Sequence, residues 1–222
     1  SNTIVGHDAH VASGAGSENA GLGFGVLNSN TSGSYNTAVG GGQTGVRYGA
    51  LASNTTGSYN TALGNSALYS NTTASYNTAV GYQAGYSNTT GIELVAVGNL
   101  ALLANTTGNY NTAVGNAASK NNTTGANNVS LGDAALFINT TGANNTALGR
   151  EALYNNTTAN ANTAVGYQAG YLNTTGGSNT GVGYQAGYSN TVGLENTFIG
   201  YGAGYSSNVS ASRNVCVGAY SG

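Results

Sequence analysis

The sequence predicts an all-β protein, a parallel β-solenoid or β-roll of about thirteen 17-residue coils. Three observations predict it. A glycine recurs every 17 residues from Gly64 to Gly200 without a slip, and Val, Leu or Ile always precedes it. Charged residues are only 5% of the chain, and proline is absent. A period of 17 is too short for paired helices or propeller blades, but it suits one turn of a solenoid.

The same spacing extends over the whole chain. It runs back to Gly6, with seven extra residues between Gly40 and Gly64, and forward to Gly218 with one extra residue. No linker or change of composition interrupts it, so we expect a single domain over residues 1–222. The extra residues 41–47 enter at a bend and leave the later register intact. We therefore expect them to form an outward loop.

Each copy opens with a short predicted strand of the type Asn-Thr-Ala-Val-Gly, whose Asn we count as position 1. Positions 2 and 4 are mostly β-branched and share one face of a strand. We expect that face to point inward, so an aspartate in place of Val114 should bury an unpaired charge. Position 8 is almost always Ala, which suggests a tight inward corner.

Positions 9 and 10 are predicted to lie outside, where pairs such as Leu68 with Tyr69 and Leu136 with Phe137 would form an apolar stripe. A monomer rarely exposes such a stripe. The terminal coils, as given, also lack capping units that would protect their unpaired strand edges. Both observations predict self-association, as a parallel homotrimer or as end-to-end stacked subunits in a filament.

The scarcity of charge follows from the stacked architecture. A charge repeated at about 4.8 Å spacing would form a column of like charges, whereas Asn, Thr, Tyr and Val stack favourably on themselves. The few charges that occur are complementary. Asp133 and Arg150 share position 6 of adjacent coils, and Glu195 precedes Arg213 in the same way.

Composition and motifs exclude several functions. Four basic against six acidic residues leave no charge footprint for nucleic acid, and no apolar run is long enough for membrane insertion. No catalytic triad, phosphate loop or repeated acidic motif is present, so we expect no enzyme, cofactor or metal. His7, Asp8 and His10 have metal-ligand side chains but no further partners, which favours a surface patch over a zinc site.

The candidate contact residues are mostly tyrosines, which recur at positions 6, 10 and 17. They could stack on a cell-surface glycan, although packing against another chain is the simpler interpretation. Gln43 and Arg47 in the inserted segment are candidates for a position-specific contact. The tyrosine candidates are Tyr82, Tyr86, Tyr167, Tyr171, Tyr184 and Tyr188.

The repeated Asn-Thr-Thr triplet allows two further interpretations. Each triplet is formally an N-glycosylation sequon, although Asn and Thr also stack well without any modification. Threonine columns suggest an ice-binding face, but the adjacent threonines of the triplet would point to opposite sides of a strand. The sequon asparagines are Asn54, Asn71, Asn88, Asn105, Asn122, Asn139, Asn156 and Asn173.

The Asn-Thr-Ala-Val-Gly phrase resembles the head repeats of trimeric autotransporter adhesins. The longer phrase Tyr-Gln-Ala-Gly-Tyr-Ser-Asn-Thr-Thr-Gly resembles the repeat arrays of phage and environmental tail-fibre proteins. These resemblances imply three parallel chains in a non-enzymatic fibre shaft or adhesin head, displayed outside the cell on a virion or cell surface. The period of 17 departs from the shorter autotransporter repeat.

Overall fold

The computed structural model describes residues 1–9, 16–41, 48–206 and 210–222, and it confirms the all-β parallel solenoid. Its described residues contain thirteen strands of three residues each and no helix. None of their segments therefore qualifies as a helix able to cross a membrane. The chain divides into two compact units, residues 1–111 and residues 112–222. The single domain over residues 1–222 stays a prediction.

The first unit contains six strands that pair in parallel and in chain order. Equivalent positions pair throughout, as Thr61 with Thr78 and Leu63 with Val80. The strands are β1 (Thr3–Val5), β2 (Ala20–Leu22), β3 (Thr37–Val39), β4 (Thr61–Leu63), β5 (Thr78–Val80) and β6 (Val95–Val97).

The second unit contains seven strands with the same pairing. The extra residue in the last copy does not shift the register, because Thr197 still pairs with Val215. The strands are β7 (Thr112–Val114), β8 (Val129–Leu131), β9 (Thr146–Leu148), β10 (Thr163–Val165), β11 (Thr180–Val182), β12 (Thr197–Ile199) and β13 (Val215–Val217).

The inserted segment does not disturb the sheet. Thr37 pairs with Thr61, and Val39 pairs with Leu63, as in uninterrupted copies. The predicted preservation of register is therefore confirmed. The predicted loop itself lies outside the described residues, except for Gly41.

The strands face the other way from the prediction. The middle residue at position 3 is buried, as in Ala62, which is 0% exposed, while its neighbour Leu63 is 46% exposed. The predicted inward orientation of positions 2 and 4 is wrong, and Val114 is only half-buried. The alanines at position 8, the residues at position 9 and two columns of asparagine also fill the coil interior, which leaves room for a methyl group at position 3.

The bend after each strand turns two successive side chains inward. Position 8 is buried as predicted, in Ala67 and its equivalents. Position 9 is buried as well, because its backbone is left-handed, with a φ of 50° at Leu68. The predicted outward placement of position 9 is therefore wrong, since Leu68 and Leu136 belong to the core, whereas Tyr69 and Phe137 at position 10 are half-exposed.

Position 3 and position 9 compensate each other in size and chemistry. Phe198 fills the space left by Gly187 and Gly204 at position 9, where an added Cβ would collide with its ring. Where serines occupy both positions, the hydroxyl of Ser119 donates to that of Ser130 at 2.9 Å. This matching keeps the narrow core filled in every coil.

Two columns of buried asparagine complete the core. At position 12, Nδ2 of Asn71 donates to Oδ1 of Asn54 at 2.8 Å and to the carbonyl of Ala74 at 3.0 Å. At position 1, Oδ1 of Asn36 accepts from the backbone N–H of Asn60 at 3.0 Å. Among the described buried side chains, Oδ1 of Asn173 is the one polar atom without a partner. The asparagine columns thus satisfy the backbone at the bends.

Candidate interaction surfaces

The main exposed surface is the outer face of the strands, which we define as the side chains at positions 2 and 4. It presents a column that is threonine or valine in every copy except at Ala20, beside a column of Val, Leu or Ile, with one pair per coil. Leu63, Leu131 and Ile199 are among its exposed residues. The outer face carries no charge in either unit.

The sequence analysis missed the outer face because a three-residue strand can be read with either set of side chains inside. A signal was nevertheless present in the column at position 3. That column contains Ala, Gly or Ser in nearly every copy, and its one phenylalanine, Phe198, occurs beside glycines. A column this restricted in size indicates burial.

Tyrosines at position 17 form an exposed ladder in the first unit. The rings of Tyr35 and Tyr59 stack at 4.8 Å between centroids, and those of Tyr59 and Tyr76 stack at 5.1 Å. The three rings are nearly parallel, so the middle ring, Tyr59, has both faces covered. The two end rings, Tyr35 and Tyr76, each keep one face that no ring of this ladder covers.

The predicted contact tyrosines lie in similar ladders. At position 6, Tyr184 stacks between Tyr167 and Tyr201. At position 10, Tyr171 and Tyr188 stack at 5.2 Å within a ladder that runs from Phe137 to Tyr205. The rings therefore present edges and hydroxyl groups to solvent, and sugar stacking on their faces would require the ladders to open.

The remaining two predicted tyrosines belong to the first unit. Tyr86 stacks on Tyr69 at 5.1 Å and is half-buried, whereas Tyr82 is exposed. In the second unit, an amide ladder lies at position 7 between the two tyrosine positions. Nε2 of Gln185 donates to Oε1 of Gln168 at 2.8 Å, and Nε2 of Gln168 donates to Oε2 of Glu151 at 2.6 Å.

Burial raises the pKa of Tyr171 and Tyr188 above the ordinary value of about 10, and nearby Glu151 and neighbouring tyrosines add to the effect. The folded state therefore releases these protons at higher pH than the unfolded state does. The stability that these raised pKa values give to the folded state is fully present below about pH 10. It is lost as the pH rises through the pKa of the two tyrosines in the folded state.

We expect the absorbance of tyrosinate at 295 nm to rise later with pH in the native protein than in the guanidinium-denatured chain. The melting temperature should also fall as the pH is raised above 10. Coincident titration curves for the native and denatured chains would contradict this prediction.

The eight sequon asparagines form the buried column at position 12. In Asn139, for example, Nδ2 donates to Oδ1 of Asn122 at 2.7 Å and to the carbonyl of Gly142 at 2.9 Å. A glycan on that nitrogen would need the space of the neighbouring coil. The folded coils therefore do not offer these asparagines for glycosylation, and the geometry supports their structural interpretation.

The ion pairs follow the predicted complementary pattern. Arg150 lies 3.6 Å from Asp133 and 3.1 Å from Glu151, and Arg213 lies 2.9 Å from Glu195. His7 lies 3.5 Å from Asp8 and stacks on Phe24. No group of three metal-ligand side chains occurs in the described part of the chain. Three candidates of the sequence analysis, His10, Gln43 and Arg47, lie outside that part.

A surface groove of about 510 Å³ lies beside the end of the position 17 ladder in the first unit. Its lining residues are Tyr76, Thr78, Glu93, Leu94 and Val95. The sequence analysis did not identify it. The signal is Leu94, the one residue at position 1 of the thirteen copies that is not asparagine, with Ile92, Glu93 and Val95 beside it.

No family model, curated protein or solved structure matches the chain. The similarity to tail-fibre arrays and adhesin heads stays a prediction.

Proposed function

We propose that the chain is a non-enzymatic structural or adhesive segment of a fibre, in which three parallel copies associate through their outer faces. The observation that carries this proposal is the column of Val, Leu and Ile at position 4 in each unit, whose side chains are all exposed or half-buried. An isolated chain leaves these side chains in water, and removing them from water would favour association by about 25 cal/mol per Å².

The regular spacing favours another copy of the chain as the occupant of this face. A parallel neighbour repeats its side chains at the same spacing of about 4.8 Å, so each coil would meet an equivalent coil. Valine packs well on valine, and threonine hydroxyl groups both donate and accept hydrogen bonds. The absence of charge on the outer face removes the repulsion that identical surfaces would otherwise create.

The proposed setting is a virion or cell surface, where tail-fibre arrays and adhesin heads of the resembling kind are displayed. The proposed fibre needs no catalytic residues, because its role is to present a repetitive surface. Hydrogen bonds of the backbone and of the asparagine columns hold that surface in place. A cell-surface glycan remains a candidate target of such a fibre.

Light scattering tests the association. We expect a species of three times the chain mass of 21.9 kDa that persists on dilution. Replacing Leu63 and Leu131 with lysine should dissociate it, because charges would then enter the outer face. Lysine in place of the exposed Thr73 and Thr141, at position 14 of the same two copies, provides the matched control. A wild-type monomer, or equal dissociation of the control, would contradict the proposal.

A second candidate function is ice binding, which one specific observation favours. Threonine at position 2 and the aliphatic residue at position 4 point to the same side, in rows about 4.8 Å apart and with about 7 Å between the two columns. In the Asn-Thr-Thr triplet, adjacent threonines would point to opposite sides of a strand, which speaks against ice binding, but this objection does not apply to positions 2 and 4. In the triplet, Oγ1 of Thr72 donates to the carbonyl of Thr89 at 3.1 Å and is not free to order water.

Thermal hysteresis separates the two candidates. Ice binding requires an open outer face, whereas the proposed fibre covers it. Thermal hysteresis in a species of monomer mass would support ice binding instead of the fibre, provided that Thr163→Lys abolishes it and Thr124→Lys does not. We expect no activity in the associated species.

A further inference from the structure

Glu93 interrupts the exposed tyrosine column at position 17 of the first unit. Tyr76, Glu93 and Tyr110 occupy this position in three successive coils. The backbone N–H of Glu93 donates to the carbonyl of Ser75 at 3.4 Å, and that of Tyr110 donates to the carbonyl of Ile92 at 3.0 Å. All three residues share a left-handed backbone, with φ between 56° and 64°. A carboxylate therefore stands between two tyrosine levels.

The interruption leaves a slot in the ladder. One face of Tyr76 stacks on Tyr59, while its other face looks toward the coil of Glu93, and its side chain is 59% exposed. Tyr110 lies two coils from Tyr76, which corresponds to about 10 Å at the strand spacing. Glu93 occupies the level between the two rings, so no ring stacks on the face of Tyr76 that points toward it. The groove described above opens onto the slot along Thr78 and Val95.

The carboxylate of Glu93 has no ion-pair partner among the described residues. In the second unit, Glu195 occupies the same repeat position, and Arg213 in the following coil reaches it at 2.9 Å. The residue that follows Glu93 in this column is instead Tyr110. The same position thus holds a carboxylate with a built-in cation at Glu195 and a carboxylate without one at Glu93.

The chain also shows that a cation fits over an aromatic ring of the next coil. Nζ of Lys120 lies 5.4 Å from the ring centroid of Phe137, and Cζ of Arg150 lies 5.9 Å from that of Tyr167. Cation–π attraction of this kind adds to the attraction of a carboxylate. At Glu93 a carboxylate and the aromatic ring of Tyr76 are both present, but none of the described residues supplies a cation to them.

We propose that Tyr76 and Glu93 bind an organic ammonium group. The carboxylate attracts the charge, the ring of Tyr76 contacts its methyl or methylene groups, and Val95 provides an apolar wall. A methylated ammonium fits best, because it is weakly hydrated and gains most from aromatic contact. The group could be a free solute or the head group of a lipid, and the chemistry of recognition is the same for both.

Saturation-transfer NMR with choline tests the site on the full chain carrying Leu63→Lys and Leu131→Lys, because Thr78 and Val95 belong to the outer face that the proposed association would cover. We expect a dissociation constant on the order of 1 mM, as two or three weak contacts would give. Its neutral isostere 3,3-dimethyl-1-butanol should bind at least 5-fold more weakly, and glucose should not compete. Absence of choline binding, or equal binding of the neutral isostere, would overturn the proposal.

Two matched variants locate the site. Glu93→Gln should weaken choline binding at least 5-fold, while Glu195→Gln, at the same repeat position, should leave it unchanged. Both side chains are exposed, so far-ultraviolet circular dichroism should show an unchanged fold for each variant. Equal loss in both variants, or undiminished binding by Glu93→Gln, would refute the assignment to Glu93.

Cosedimentation with vesicles distinguishes the source of the ammonium group. Binding to phosphatidylcholine vesicles that Glu93→Gln abolishes would identify a lipid head group. Choline binding without vesicle binding would identify a free ammonium solute, and it supports the proposal equally. Binding to phosphatidylglycerol vesicles that is unaffected by Glu93→Gln would contradict recognition by this site.

Discussion

Replacing Ala62 with aspartate should lower the free energy of unfolding by several kcal/mol. Ala62 is completely buried at position 3 of β4, and its neighbours in the core are asparagine and small apolar side chains. An aspartate there would bury a carboxylate without a cation, or would bind a proton at a corresponding cost. Urea denaturation monitored by circular dichroism measures the loss.

Leu63→Asp is the matched control, because Leu63 is the next residue of the same strand and faces solvent. We expect it to change the free energy of unfolding by less than about 1 kcal/mol in the dissociated chain. A larger loss of stability for Leu63→Asp than for Ala62→Asp would instead support the prediction from sequence that position 4 points inward. Equal, large losses would show that β4 tolerates charge on neither side.

Gly132→Ala should cost about 3 kcal/mol of stability, for two separable reasons. Its φ of +137° is a region that only glycine adopts readily. A Cβ at this site would also lie 2.7 Å from the backbone carbonyl of Gly149 in the next coil. Backbone atoms cannot move aside as a flexible side chain can, so the stacked coils would have to separate locally.

Gly218→Ala separates the two causes. Gly218 occupies the same repeat position with a φ of +116°, but a Cβ added there would have no described atom within 4 Å. This variant should therefore show the conformational strain without the collision, at about 1 kcal/mol. A loss at Gly218 as large as that at Gly132 would exclude the contact between coils as a cause.

The sequence was sufficient to predict the coil, its period and the parallel stack, because the glycine at position 5 must recur wherever coils approach so closely. It also predicted the inward alanine at position 8 and the pairing of Arg213 with Glu195. These features depend on residue spacing alone. They needed no knowledge of which way each side chain points.

The orientation of the strands could not be obtained from apolar character. Valine at position 4 is more apolar than alanine at position 3, yet the alanine is buried, and the larger Phe198 fits at position 3 beside the glycines Gly187 and Gly204 at position 9. Leu68 was misplaced because alternation was assumed across a residue whose φ is positive. The slot at Glu93 depends on contacts between coils, and a single copy of the repeat does not contain them.

The asparagine column has a direction, and this bears on how the protein is made. In the first unit, Nδ2 of Asn71 donates to Asn54, Nδ2 of Asn88 to Asn71, and Nδ2 of Asn105 to Asn88. Each coil thus offers acceptors to the coil that follows it in the chain. During synthesis, a finished coil already presents the oxygen atoms that the next one requires. The ribosome therefore delivers the repeats in an order that lets each new coil pair with the coil made just before it. The solenoid can then fold coil by coil, without contacts between residues far apart in the chain having to form first.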